Sequence, residues 1–380
     1  MRYYISVLAD YLTVSQQHNG FTSAFLPMAI ESPALAEALV AYSANQLSEF
    51  DDSYSSTALL ARSRSLSALA KSITNPSYDI ASREAHVAAA LVLLTSEVCH
   101  GNYAAWYQHL VGAKHLILSA GHKSAIGCGS PLGTDAFQKS QEGRWVLRNF
   151  AYHDILGSVT MGTSPLIDAS YLRDMKGIID TYMGVGIEIL TYIAQISTLV
   201  SKPTNATNIN TFRSIEEKLL VWQPDSNISP GLNLVASAYR NAALIYLYRE
   251  MRCCCRHQSI SNESQVLGNA DEVDVKIGRV TAEIISVVSQ IPLGDMPESA
   301  LLFPLFMAGG ESHEDDQIEV VRSRLIAMME KRRFHNIQRA LDTLEKVWSF
   351  RQSVIKQHFN VDIDWKDVIE EDSLGGLLLT

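Results

Sequence analysis

The sequence contains no CxxC pair, and its five cysteines are Cys99, Cys128, Cys253, Cys254 and Cys255. Closed tetrahedral zinc modules need paired thiolates at short spacing, so none is expected here. Three consecutive cysteines cannot form a regular disulfide framework, and an odd number in a long chain predicts a reducing compartment. Charge is also scarce. Charged residues make up 19 % of the 380 residues and the formal net charge is −10. A surface that displaces counterions from a phosphate backbone needs clustered Lys and Arg, so no direct DNA contact is expected from this chain. Long apolar runs are missing. The aliphatic run Val87–Leu94 falls far short of the roughly 20 residues that span a bilayer, so no membrane partner is expected. Asp10 interrupts the first stretch where a secretory leader would be apolar. No GxGxxG, P-loop, HExxH or GxSxG pattern occurs. No catalytic residue, metal or cofactor is therefore assigned.

What is present is helical periodicity with a globular share of hydrophobic residues, 47 %. Ile318, Val321, Leu325 and Met328 recur at i, i+3, i+7 and i+10. Ile337, Leu341, Leu344 and Trp348 recur at i, i+4, i+7 and i+11. Each set makes one buried stripe on an amphipathic helix. Ser32-Pro33 and Ser229-Pro230 place a capping hydroxyl before a proline at the first helical position. Gly101 closes a helix expected over 81–100. Further helices are expected over 2–15, 55–74, 103–120, 144–162, 179–200, 231–254, 270–291 and 298–309. Strand alternation with hairpin turns is lacking. The expectation is an all-α fold, an irregular multi-helix bundle of about 12 to 15 helices at ordinary helix lengths. It forms a single domain over 1–380, with loops near 121–143, 201–210 and 257–274.

Several segments, in order, resemble one family. They are Phe25–Ala44 and Ala90–Ile117, then Arg144-Trp145 with Phe150-Ala151-Tyr152-His153-Asp154-Ile155-Leu156-Gly157-Ser158. Met183-Gly184 with Ile193–Ile196 follows, then Leu302–Glu311, Asn336-Ile337 with Ala340-Leu341, Val347-Trp348, and Trp365. This order is similar to the regulatory domain of fungal zinc-cluster transcription factors, from residue 3 to 378. No single motif is specific; the ordered combination is. The resemblance implies an all-α fold, a nuclear location and control of transcription. It also implies a small apolar effector or a protein partner, and a homodimer or a heterodimer with a zinc-cluster protein. The family's six-cysteine DNA-reading unit has no counterpart in these residues. Either that unit precedes Met1, or the chain is a stand-alone relative. In the second case the alternative is a cytoplasmic isomerase or cyclase of specialised metabolism, acting through a shaped apolar pocket.

The segments of clearest similarity supply the candidate ligand pocket: Tyr103, Trp106, Tyr107, His109, His115, Trp145, Tyr152, His153, Phe303 and Phe306. Phe150, Met183 and Met307 share those segments. Helical bundles host apolar pockets between their helices, with a few polar contacts such as His109, His115 or His153. Core packing is the plainer account of the same aromatics. His109 and His115, six apart, do not share a helix face as i, i+4 ligands do. His153 and Asp154, as neighbours, point apart. Glu311–Asp316 reads as a helix start, with Ser312 as cap and acids at the positive dipole end, rather than as a metal site. Cys253–Cys255, between Arg252 and Arg256, reads as a helix end, with a redox-sensing thiolate as the alternative. Lys331-Arg332-Arg333 with Phe334 reads as a solvated turn.

Overall fold

The computed structural model describes residues 1–73, 79–102, 104–120, 132–175, 177–201, 206–224, 228–261, 270–357, 363–371 and 376–380. Among them are fourteen α-helices of seven or more residues. The first seven are α1 (Phe25–Glu31), α2 (Pro33–Ser48), α3 (Ser55–Ile73), α4 (Ile80–Cys99), α5 (Trp106–Leu118), α6 (Gln141–Met161) and α7 (Ile187–Val200). The others are α8 (Ala206–Val221), α9 (Pro230–Ser261), α10 (Ala270–Ser289), α11 (Leu302–Glu311), α12 (Asp315–Arg332), α13 (His335–Gln357) and α14 (Trp365–Glu371). No strand occurs among the described residues, only an isolated bridge between Asp180 and Gly184. The fold is all-α.

Local chemistry sets the helix ends. Ser32 Oγ accepts from Leu35 N at 3.3 Å at the start of α2, with Pro33 in the first helical position. Asp79 caps α4 through Ser82 N at 2.8 Å, and Ser140 caps α6 through Gly143 N at 2.8 Å. At the other end of α4, Gly101 N donates to Val98 O at 3.3 Å and Asn102 N to Glu97 O at 2.9 Å. This paired closure needs a left-handed residue, and Gly101 has φ +84°.

Packing proceeds helix to helix in the order α3, α2, α4, α6, α7, α9, α10, and α11 lies against α9, α10, α12 and α13. Helices inside this array are buried on every side, Glu84–Cys99 of α4 and all of α11, and are mostly apolar apart from residues such as Glu84, Glu97 and Glu311. Outer helices bury one stripe. On α10 this stripe is Val273, Ile277, Val280, Thr281, Ile284 and Val288. The stripes read on α12 and α13 are buried in full.

Other expectations need correction. The helix expected over 2–15 ends at Tyr11, after a π-helical turn at Tyr4–Leu8. Val14 N instead donates to Thr181 O at 2.9 Å, and Asn19 caps a new turn through Phe21 N at 3.1 Å. Residues 179–186 are not helical. Asp180 Oδ1 accepts from Tyr182 N at 2.9 Å and Met183 N at 3.2 Å, and Gly184 adopts φ +56°. An aspartate that bonds the backbone just after itself competes with helix and makes a turn.

Ser312 does not cap α12. Its Oγ donates to Ala308 O at 2.9 Å, closing α11, while the first turn of α12 carries Asp315 and Asp316. Helix α9 does not stop at the cysteines but continues to Ser261. Helices also reach into the margins of the expected loops, at Thr134–Phe137, from Ala206 and to Ser261. Residues 121–131, 202–205 and 262–269 of those loops lie outside the described residues.

Candidate functional site

Helix α6 carries Trp145, Tyr152 and His153 on one buried face, and the turn at residues 180–184 places Tyr182 against all three. The rings of Tyr152 and Tyr182 stack with centroids 4.2 Å apart, and those of Trp145 and Tyr182 stack at 5.9 Å. Phe21 meets Trp145 and Tyr182 edge-on at 5.5 and 5.2 Å. Such offset and edge contacts suit the ring quadrupoles. From Tyr152 the network crosses to α9, where the hydroxyl lies 3.0 Å from that of Tyr239. Tyr239 stacks on Phe303 of α11 at 5.8 Å.

Polar atoms inside this network are held in their neutral forms. His153 Nδ1 lies 3.0 Å from Thr380 Oγ1, and Nε2 lies 3.4 Å from the Tyr182 hydroxyl. Burial pushes the imidazole down to about 3, and pushes the Tyr152, Tyr182 and Tyr239 phenols well above their ordinary value. The neighbouring Asp154 points away from the network and accepts from Leu166 N at 2.7 Å and Ile167 N at 3.1 Å. Burial nevertheless pushes its carboxyl up to about 6.

Beside Tyr152 and Tyr182 is a cavity of about 30 Å³, also lined by Ser299, Arg332, Asn336 and Thr380. That space suits one or two waters. Arg332 and Asn336 are 3 % and 1 % exposed. Arg332 Nε, Asn336 Oδ1 and Ser299 Oγ, all buried atoms, find no partner in the protein. The Arg332 guanidinium is otherwise engaged: Nη1 lies 3.0 Å from Glu298, which also pairs with Arg324 at 3.2 Å. Arg332 and Phe334 are therefore buried, which corrects the reading of residues 331–334 as a solvated turn.

Of the other expected pocket residues, Phe306 belongs to a second cluster. It meets Trp365 edge-on at 5.3 Å, and the Arg249 guanidinium lies over the Trp365 ring, 4.9 Å from its centroid. Arg249 is itself paired with Glu311 and Asp364. Trp106 is buried with Nε1 donating to Gly376 O at 3.0 Å, and half-buried Tyr107 meets it edge-on at 5.6 Å. His109 Nε2 is 3.8 Å from Glu97 Oε1, and His115 is exposed. Phe150, Met183 and Met307 are buried. Tyr103 lies outside the described residues. Trp145 also lines a surface groove of about 450 Å³ with His18, Arg144 and Arg148. Burial raises the thiols of Cys253 and Cys255 above their ordinary value, against the lowering expected of flanking arginines. Arg252 is instead occupied by Glu311 and Asp274.

The family model described as the fungal specific transcription factor domain matches residues 1–378. The chain belongs to that family. The transcriptional activator protein UGA3 of Saccharomyces cerevisiae is 22 % identical over 94 % of this chain and 74 % of that protein. No solved structure matches the chain. Family and relative together support a role in transcription regulation.

In this fungal transcription factor domain, the structure brings Trp145, Tyr152, His153 and Phe303 of the expected set into one network, joined by residues outside that set. Tyr182 was hidden by a helix assignment that the Asp180 turn overrides. Tyr239 sits in an apolar helix among other tyrosines, with nothing in its spacing to single it out. Arg332 stands in a segment that reads as a solvated turn, and its pairing with buried Glu298 is a long-range contact that spacing does not encode; Asn336, which donates to Thr380 O, is not singled out. No group of three or more His, Cys, Asp or Glu is arranged to hold a metal among the described residues. Among the same residues no helix is long and apolar enough to cross a membrane.

Proposed function

We propose that this domain acts in the nucleus, receives a signal and passes it to transcription by shifting between two arrangements of its helices. The signal is a small apolar metabolite or a protein partner. DNA is read by another polypeptide, either joined to this one or bound to it as a dimer partner. The observation that carries this reading is the family match over residues 1–378. The net charge of −10 supports leaving phosphate contacts to another segment. The buried polar atoms of Arg332, Asn336 and Ser299, in the cavity beside Tyr152 and Tyr182, support a receptor for a ligand with few, placed hydrogen bonds.

A panel of apolar metabolites, screened by melting temperature on the purified chain, tests the sensing step. A ligand that binds only the folded state raises the melting temperature in a concentration-dependent way. A panel that leaves it unchanged, together with unchanged methyl and indole resonances, would contradict small-molecule sensing.

A further inference from the structure

Helix α6 ends at Met161, and Gly162 turns the chain with φ +63°. A Cβ at Gly162 would meet nothing within 4 Å, so the turn stands clear of the body. Residues 163–168 then run outside any helix until a 3-10 helix begins at Ala169–Met175. Thr163 N donates to Ser158 O at 3.1 Å. Beyond it, no amide of residues 164–168 reaches a backbone carbonyl among the described residues. Side chains hold the segment instead. Asp154 of α6 accepts from Leu166 N at 2.7 Å and Ile167 N at 3.1 Å, and Ser164 Oγ lies 2.6 Å from Ser201 Oγ just past α7. Ile167 is buried and Leu166 half-buried, while Gly162, Thr163 and Asp168 are exposed. A segment with few buried contacts and no carbonyl partners for its amides opens locally, well below the free energy of global unfolding.

The main anchor is costly when charged. Asp154 is 3 % exposed and makes no ion pair among the described residues. Lys114 of α5 acts on it only at longer range. Tyr171 of the 3-10 helix faces it with a buried phenol, which Asp154 and Asp168 both push up. His153, its neighbour on α6, is engaged with Thr380 and Tyr182. The two amide donors offset part of the cost of burying the charge, and burial still pushes the carboxyl up to about 6. When the segment lifts, the carboxyl meets water and regains its ordinary value of 3.8. The held state therefore binds the proton more tightly than the lifted state. Holding is favoured as pH falls from 6 toward 4, and lifting as pH rises through the same window.

The segment also walls a groove of about 380 Å³. Ser164, Pro165 and Asp168 line it together with Thr191, Gln195 and Leu199 of α7. We propose that Asp154 is a proton-operated latch, which holds residues 163–168 against α6 when protonated and frees them, widening this groove, when the proton leaves. This movement goes beyond the signal-receiving reading and does not depend on it.

Amide hydrogen exchange on the full chain at pH 5 and pH 7.5, corrected for the intrinsic rate, tests the latch. Protection of Leu166 and Ile167 is expected to be about tenfold lower at pH 7.5, the factor set by a carboxyl at about 6 when held and 3.8 when lifted. In Asp154→Asn, which cannot ionise, their protection is expected to be the same at both pH values. Equal protection in the parent chain overturns the proposal, and so does a tenfold change that persists in Asp154→Asn. Should that variant fail to fold, the Asp154 carboxyl-carbon resonance of the parent chain decides. A titration midpoint above 5 that coincides with the change in Leu166 and Ile167 protection supports the latch. A midpoint below 5, or one that does not coincide, overturns it.

Discussion

His153 and Asp154 are adjacent on α6, and burial shifts them in opposite directions along the pH scale. The unfolded chain protonates the imidazole near its ordinary value of 6.5, while the folded state withholds that proton to about 3. The stability His153 contributes is therefore complete above pH 6.5 and lost as pH falls toward 3. Asp154 is raised from 3.8 to about 6, so the folded state takes its proton first and gains relative stability as pH falls through that window. Each shifted unit is worth about 1.4 kcal/mol, so the two effects oppose each other at a similar size between pH 6 and 4. Relative to the parent chain, Asp154→Asn is expected to become more destabilising by about 2 kcal/mol as pH falls from 6 to 4. His153→Gln is expected to move the other way by a similar amount. Urea denaturation across that range checks both; parallel curves for parent and variants would contradict the assignment. A second prediction concerns Glu298, buried between Arg324 and Arg332. Glu298→Gln leaves two buried guanidiniums short of charge and is expected to cost about 3–5 kcal/mol by urea denaturation. The sequence could not announce this site. Charged residues are usually exposed, and Glu298 stands 26 and 34 residues from its partners.

At the scale of elements, periodicity was informative wherever a helix buries one face, as on α12 and α13. It failed where a side chain offers the backbone a different bond, as Asp180 and Asn19 do. It also could not separate inner from outer helices by glycine content. Gly310 of α11 and Gly278 of α10 look alike in sequence, yet their surroundings differ. A Cβ at Gly310 would meet Trp365 Cδ1 at 2.7 Å, whereas one at exposed Gly278 would meet nothing within 4 Å. Alanine is the better helix former by about 1 kcal/mol, so Gly278→Ala is expected to stabilise by about 0.5–1 kcal/mol. Gly310→Ala is expected to destabilise by about 1–3 kcal/mol, because overcrowding a packed core outweighs propensity. Thermal unfolding of the two variants should move the midpoint in opposite directions. A third test is Gly101→Ala, which forces a side chain into φ +84° with His335 Cβ 3.3 Å away. It is expected to cost about 1–2 kcal/mol.

On the scale of the whole molecule, the buried side chains join into one cluster that runs from Tyr4 to Leu379. Composition and stripe counting were enough for the all-α class. The order of packing, α3 to α10 across the array, is a long-range property that no local period encodes. The regulatory reading came from an ordered series of weakly specific segments, and the family match over 1–378 now stands behind it. The central proposal is that this acidic helical body regulates transcription when another module brings it to DNA. Residues 1–380 fused to an unrelated DNA-binding module, in a yeast strain carrying that module's reporter, test this most directly. The account predicts reporter transcription that differs from that given by the module alone, and loss of the difference in the Glu298→Gln variant. A fusion that accumulates as folded protein and leaves transcription the same as the bare module would contradict it.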